Sequence, residues 1–200
     1  MSLSQFRVVA LSPCTDVAPA AWITGSDWPW QQLVTLGPPG FAAYARLRFL
    51  VDPAYRGQLE ADAPFDHDRP SEVVALQCVL AVLARHTSTP RHCYFGMWDG
   101  WGSEVRGVPM LVVPNRAYYL FEGQLSDVGQ WEQMWPGHAA NSATHPAFVW
   151  PADQAWCVAW DVDPHFAGIG GPRAAIDELL TDQRVDLVEA DPRAEQPSYW

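Results

Sequence analysis

The chain has 200 residues and a mass of 22.3 kDa; 48% of its residues are hydrophobic, 12 are basic and 23 acidic, for a net charge of −11. The length suits a single domain over residues 1–200, and the charge works against nucleic acid and anionic membrane surfaces. No apolar run approaches the roughly 20 residues that cross a bilayer, and the opening ten residues hold no signal-peptide core, so a cytoplasmic chain is expected.

Every basic residue is Arg, and there are 11 Trp. Trp brings a large apolar area and one N–H that needs a partner when buried. It serves cores first, and also interfaces and sites for sugars or cations. The four cysteines, Cys14, Cys78, Cys93 and Cys157, form no C-x-x-C pair. A zinc knuckle or redox dithiol is therefore not expected, and free apolar thiols are preferred to a disulfide framework.

Along the chain, Arg7–Leu11 reads as a first strand. Residues 12–40 carry Pro, Trp and a Gly-Pro-Pro-Gly end, and read as a long ordered loop with a helical turn over Trp30–Leu36. Phe41–Val51 alternates: Ala43, Ala45, Leu47 and Phe49 on one face; Tyr44, Arg46 and Arg48 on the other. That is a half-buried strand with Arg outward. An acidic loop, Glu60–Pro70, leads to Ser71 as the cap of an apolar helix running to Arg85, which predicts deep burial against a sheet.

Four strands are expected next, at His92–Met97, Val108–Val113, Arg116–Glu122 and Ala147–Trp150, with Pro114-Asn115 as a hairpin turn. Leu125–Trp135 reads as a short helix. Ala155–Val162 pairs back on Ala147–Trp150, placing Trp156, Val158, Trp160 and Val162 on one face and Cys157, Ala159 and Asp161 on the other. Pro172 opens a last helix with Ile176, Leu179 and Leu180 inward, and Val185–Glu189 forms an edge strand. The predicted class is α+β: a mostly antiparallel sheet with two main helices on one face. A doubly wound fold is not expected, since β-α-β alternation and G-x-G-x-x-G are missing.

Four places could carry chemistry. Tyr94–Gly102 runs a strand into a glycine-punctuated loop with Trp98, Asp99 and Trp101, which suits a sugar or a cationic, planar ligand; the plainer role is sealing the sheet end. Asp161, Asp163 and His165 could form an acid–base set and are the catalytic candidates; a solvated strand end is the plainer role. Gly168–Arg173 could expose amides to an anion, against a simple strand-to-helix turn. The loop with Glu60, Asp62, Asp66, His67 and Asp68 has the charge for a cation but lacks an EF-hand pattern, and supporting the helix dipole is the alternative. No metal or cofactor is assigned.

The words Phe148-Val149-Trp150-Pro151-Ala152-Asp153, followed by Trp156, Asp161 and Gly170-Gly171, join Trp98–Gly102 and Val113-Pro114-Asn115-Arg116. On these segments the chain resembles a family of actinobacterial proteins without an assigned activity. The resemblance spans residues 20–190. It implies a bacterial cytosolic setting and brings no catalytic residue, cofactor or substrate.

The leading functional expectation is a non-enzymatic binding or interaction protein, regulatory or immunity-type, meeting a partner with a basic surface. The alternative is a small-molecule site or enzyme. Its pocket would be walled by Trp98, Trp101, Trp150 and Trp160 and anchored by Asp99, Arg116 and Asp161, with Asp161, Asp163 and His165 as its acid–base groups. A homodimer through exposed Trp is a third expectation.

Overall fold

The computed structural model of the chain describes residues 11–64, 66, 68–101, 107–128 and 145–200. Within them, nine strands build one antiparallel sheet: β1 (Ser12–Pro13), β2 (Ala43–Arg48), β3 (Cys93–Trp98), β4 (Met110–Val113), β5 (Arg116–Gly123), β6 (Phe148–Pro151), β7 (Cys157–Ala159), β8 (Phe166–Gly171) and β9 (Leu187–Glu189). The strand order is β1-β5-β3-β6-β7-β8-β2-β9, with β4 also on β5. The helices are α1 (Ala21–Thr24), α2 (Trp30–Leu36), α3 (Glu72–Leu83) and α4 (Arg173–Leu180). The class is α+β. None of the described helices is long and apolar enough to cross a membrane.

Alternation explains the layering. Ala43, Ala45 and Leu47 of β2, Phe95 and Met97 of β3, and Val158 and Trp160 of the β7 segment face α3 and α4 in one apolar core. The two main helices thus share one face, as the apolar run of α3 predicts. Trp156, fully buried there, donates its Nε1–H to the Leu83 carbonyl at 2.9 Å and satisfies an acceptor orphaned at the end of α3. The opposite face is covered as well. Ile23 of α1 and Leu33 and Val34 of α2 pack on Tyr118, Leu120, Phe148, Trp150, Cys157 and Ala159.

That second cover corrects two expectations. The stretch 12–40 is less a loop than a layer, carrying β1, α1 and α2. And the outer face of β2 is not solvated: Tyr44 and Arg46 are buried, with Arg46 bonded to Asp52 at 2.5 and 2.9 Å and set over the Phe166 ring.

The glycine run at 168–171 is a strand, not a turn at a helix entrance. β8 pairs with β7 and β2, Val158 opposite Ile169 and Ala45 opposite Ile169. A Cβ on Gly168 would collide with the Thr35 carbonyl oxygen and the Leu36 Cα, so glycine is what lets α2 lie against the sheet. The helix expected over Leu125–Trp135 begins as a 3-10 turn at 125–128; its remainder falls outside the described residues, as do most of Arg7–Leu11 and His67. The β4–β5 hairpin turns on Pro114-Asn115, with Asn115 at φ 65°, the position that tolerates Asn in a type II turn. β6 and β7 pair as expected, and β9 lies at the sheet edge on β2.

Candidate functional site

Chain order places the site at one end of β7. β7 closes with the Trp160 N–H donating to the Ala147 carbonyl at 2.7 Å, and residues 160–165 pass between two regions before β8 begins.

On the side of α1 and α2, Arg116 at the start of β5 reaches Asp161. Its Nε and Nη2 donate to the two carboxylate oxygens at 3.2 and 3.1 Å, and Nη2 also meets Asp163 at 2.6 Å. The guanidinium carbon lies 5.5 Å from the ring centroids of both Trp30 and Trp98, a double cation–π contact. The Asp161 hydrogen bonds, against the cost of burial, raise the Arg116 pKa further. Trp98 folds back over Gly100, where a Cβ would strike its ring, and then meets Trp101 edge-on at 5.8 Å.

On the side of α3 lies a cleft of about 220 Å³, lined by Phe49, Glu60, Glu72, Trp101, His145, Trp160, Asp163 and His165 among others. His145 stacks flat on Trp160, centroids 3.5 Å apart and planes 10° from parallel, and Trp101 approaches it edge-on at 5.6 Å. Burial pushes the His145 pKa down to about 4, so the ring is neutral at pH 7. Its Nδ1 faces the Pro146 carbonyl at a long 3.5 Å. A carbonyl only accepts, so this contact places the proton on Nδ1 and leaves Nε2 an acceptor. Nε2 has no protein partner among the described residues.

His165 is also buried, and burial, outweighing the pull of Asp52, lowers its pKa. Its Nε2 donates to Asp52 at 3.1 Å. Asp52 is disfavoured by burial yet held well below the usual carboxylate range by the hydrogen bonds from Arg46 and His165 and the charges of Arg46 and Arg48. The chain of pairs runs on through Arg48 to Asp186 and Arg69, and none of these arginines lines the cleft.

Glu72, in the first turn of α3, is exposed on its outer side, but the protein packed around its carboxyl displaces water and, with the charge of Glu60, raises its pKa. Among the described residues, neither carboxylate has an ion-pair or hydrogen-bond partner and no Arg lines the cleft.

The expected residues are therefore divided. Trp98, Arg116, Asp161 and Asp163 do come together, but as an ion cluster whose charges answer one another. Trp101 and Trp160 wall the cleft. Trp150 belongs to neither: it is fully buried on the α1–α2 face between Trp22 and Tyr94. Asp99 is exposed on the 3-10 turn Asp99–Trp101. The acid–base set is split, since His165 bonds Asp52 while Asp161 and Asp163 bond Arg116. No group of three His, Cys, Asp or Glu among the described residues is placed to hold a metal ion.

Sequence reasoning weighed Glu60 only as part of an acidic loop, and passed over Phe49, Glu72 and His145 as site residues. No local spacing links them; their only signal is an unpaired Glu in a helix first turn and a His beside Pro146. No protein-family model, curated protein or solved structure matches the chain.

Proposed function

We propose that the chain is a non-enzymatic binding protein of the cytosol whose cleft receives a cationic, hydrogen-bond-donating headgroup. One observation carries the reading. Glu60 and Glu72 face a cleft walled by Trp101, His145 and Trp160, and among the described residues no Arg lines it. The charge of Glu60 makes the ionised form of Glu72 costlier, and a cation entering beside them relieves that cost. The neutral His145 supports it, because its free Nε2 accepts a hydrogen bond that only a donor can give. The volume supports a headgroup: it falls below the roughly 300–1,000 Å³ of sites for drug-sized ligands. The described cysteines are all free thiols, which fits a reducing compartment.

Capped arginine, capped lysine and capped citrulline titrated by calorimetry test the reading. The cations are expected to bind and the neutral isostere not. Glu72→Gln should weaken the cations by about fivefold to tenfold, a change of about 1–1.4 kcal/mol. Equal binding of citrulline, or no binding of any, overturns the proposal.

A second reading draws on Glu72 itself. Its raised pKa holds a proton to higher pH, as a general acid must. A bound ligand that is turned over, with turnover lost and binding kept in Glu72→Gln, would favour it.

A further inference from the structure

We infer that the cleft is the anchor point of a docking surface for an arginine-bearing basic segment of a protein partner. The inference rests on the cation-binding reading of the cleft and adds the surface around it.

The rim beside the cleft is aromatic and exposed, and its backbone is tied in place. Tyr55, Leu59 and Trp200 are 61%, 53% and 80% exposed, among the few large apolar side chains the described surface shows. They are tied together through the buried Gln58. The Trp200 N–H donates to the Gln58 carbonyl at 2.9 Å, the Gln58 N–H donates to the Tyr55 carbonyl at 3.3 Å, and the Gln58 side chain accepts from the Ala54 N–H at 2.7 Å. Tyr199 joins the rim to the cleft. Its hydroxyl donates to the Val51 carbonyl at 2.7 Å, and its ring meets the cleft's His165 edge-on at 4.9 Å. Leu59 runs directly into Glu60, and Glu60 acts electrostatically on Glu72, His165 and Tyr199. Rim and cleft are thus neighbours, linked by Tyr199 on His165 and by Leu59 next to Glu60.

Its chemistry selects the partner. Exposed Trp and Tyr are among the residues that dominate protein interfaces. The segment that follows Leu59 carries Glu60, Asp62, Asp66 and Asp68 and leads to Glu72 at the start of α3, while Arg56 and Glu195 both line the rim groove. A chain of net charge −11 accelerates encounter with a basic partner. Within the cleft, arginine fits better than lysine. Its fork of donors can meet the two carboxylates and the His145 Nε2 together, where an ammonium offers a single point of charge.

The test compares two probes on the full chain by calorimetry: capped arginine, and a short peptide alternating Arg with Leu, with its Lys counterpart as control. The Arg peptide should bind more tightly than capped arginine by about tenfold or more, the scale of one hot-spot aromatic. Trp200→Ala should remove that advantage and leave capped arginine unaffected, and the Lys peptide should bind more weakly than the Arg peptide. If capped arginine binds but the peptide gains nothing, or if Trp200→Ala leaves the gain intact, the docking surface is overturned and the cleft reading stands. If the Lys peptide binds as well as the Arg peptide, the arginine assignment is overturned. If neither probe binds, both readings fall together.

Discussion

The Arg116 cluster and the Glu60–Glu72 cleft lie on either side of residues 160–165 and use the same materials to opposite ends. Each combines indole rings with carboxylates. In the first, the cation is built in: Arg116 sits between Trp30 and Trp98 and answers Asp161 and Asp163. In the second, Trp101 and Trp160 stand beside two carboxylates and, among the described residues, no Arg lines the space. One region resembles the other with its ligand already bound. Aromatic walls plus acid are thus structural or receptive according to whether the chain supplies its own guanidinium.

Breaking the closed region should cost the most. Asp161→Ala removes the buried, two-bonded partner of Arg116 and leaves it only the exposed Asp163, which should cost about 3 kcal/mol, the lower end for breaking a buried pair. Urea denaturation reads this directly; a loss under about 1 kcal/mol would mean the cluster contributes little.

The cleft should show itself next, through pH. Folded His145 titrates near 4, whereas the free side chain titrates near 6.5. Between those values the unfolded chain binds a proton that the folded chain does not. Stability therefore falls as pH drops through 6.5 and flattens near 4, a loss on the order of 3 kcal/mol. His165, lowered in the same direction, adds to the slope, and Glu72, raised, offsets part of it. Melting curves across this range for the wild type and His145→Phe check it; identical acid limbs would sink the assignment.

The smallest effect separates the two carboxylates of the cluster. The Asp161 side chain is 3% exposed and that of Asp163 76%. Asp163→Ala should cost less than about 1 kcal/mol, since solvent screens the pair and its ordering costs entropy. A loss matching that of Asp161→Ala would erase the distinction between buried and exposed partner.

Much of the sheet was legible because apolar alternation is a local signal. β2, β4, β5, the β6–β7 hairpin and the edge strand β9 are visible in it, and α2 could be read at Trp30–Leu36. β8 was hidden because its glycines lack the side chains that mark a strand. What makes it one is the approach of α2 over Gly168, a contact between residues more than a hundred positions apart. The same limit applies to Arg46, whose place in the alternation points outward but whose face lies under Phe166 and the Asp52 pair. At the site, Trp98, Arg116 and Asp161 could be grouped because each falls at a strand end. His145 and Glu72 could not, because a stacked ring and a helix first turn meet only through the tertiary fold.

The sheet's margins have a consequence for self-association. Among the described residues, it ends on one side in β9, three residues long, and on the other in β1, two residues of which one is Pro13, and in β4, four residues long with Val112 exposed, both on β5. A proline has no N–H to offer a neighbouring strand, and edges this short make poor templates for edge-to-edge growth. At these two margins the chain is thus guarded against fibre-like stacking, a safeguard that matters for a molecule that leaves Trp200 and Tyr55 open to solvent.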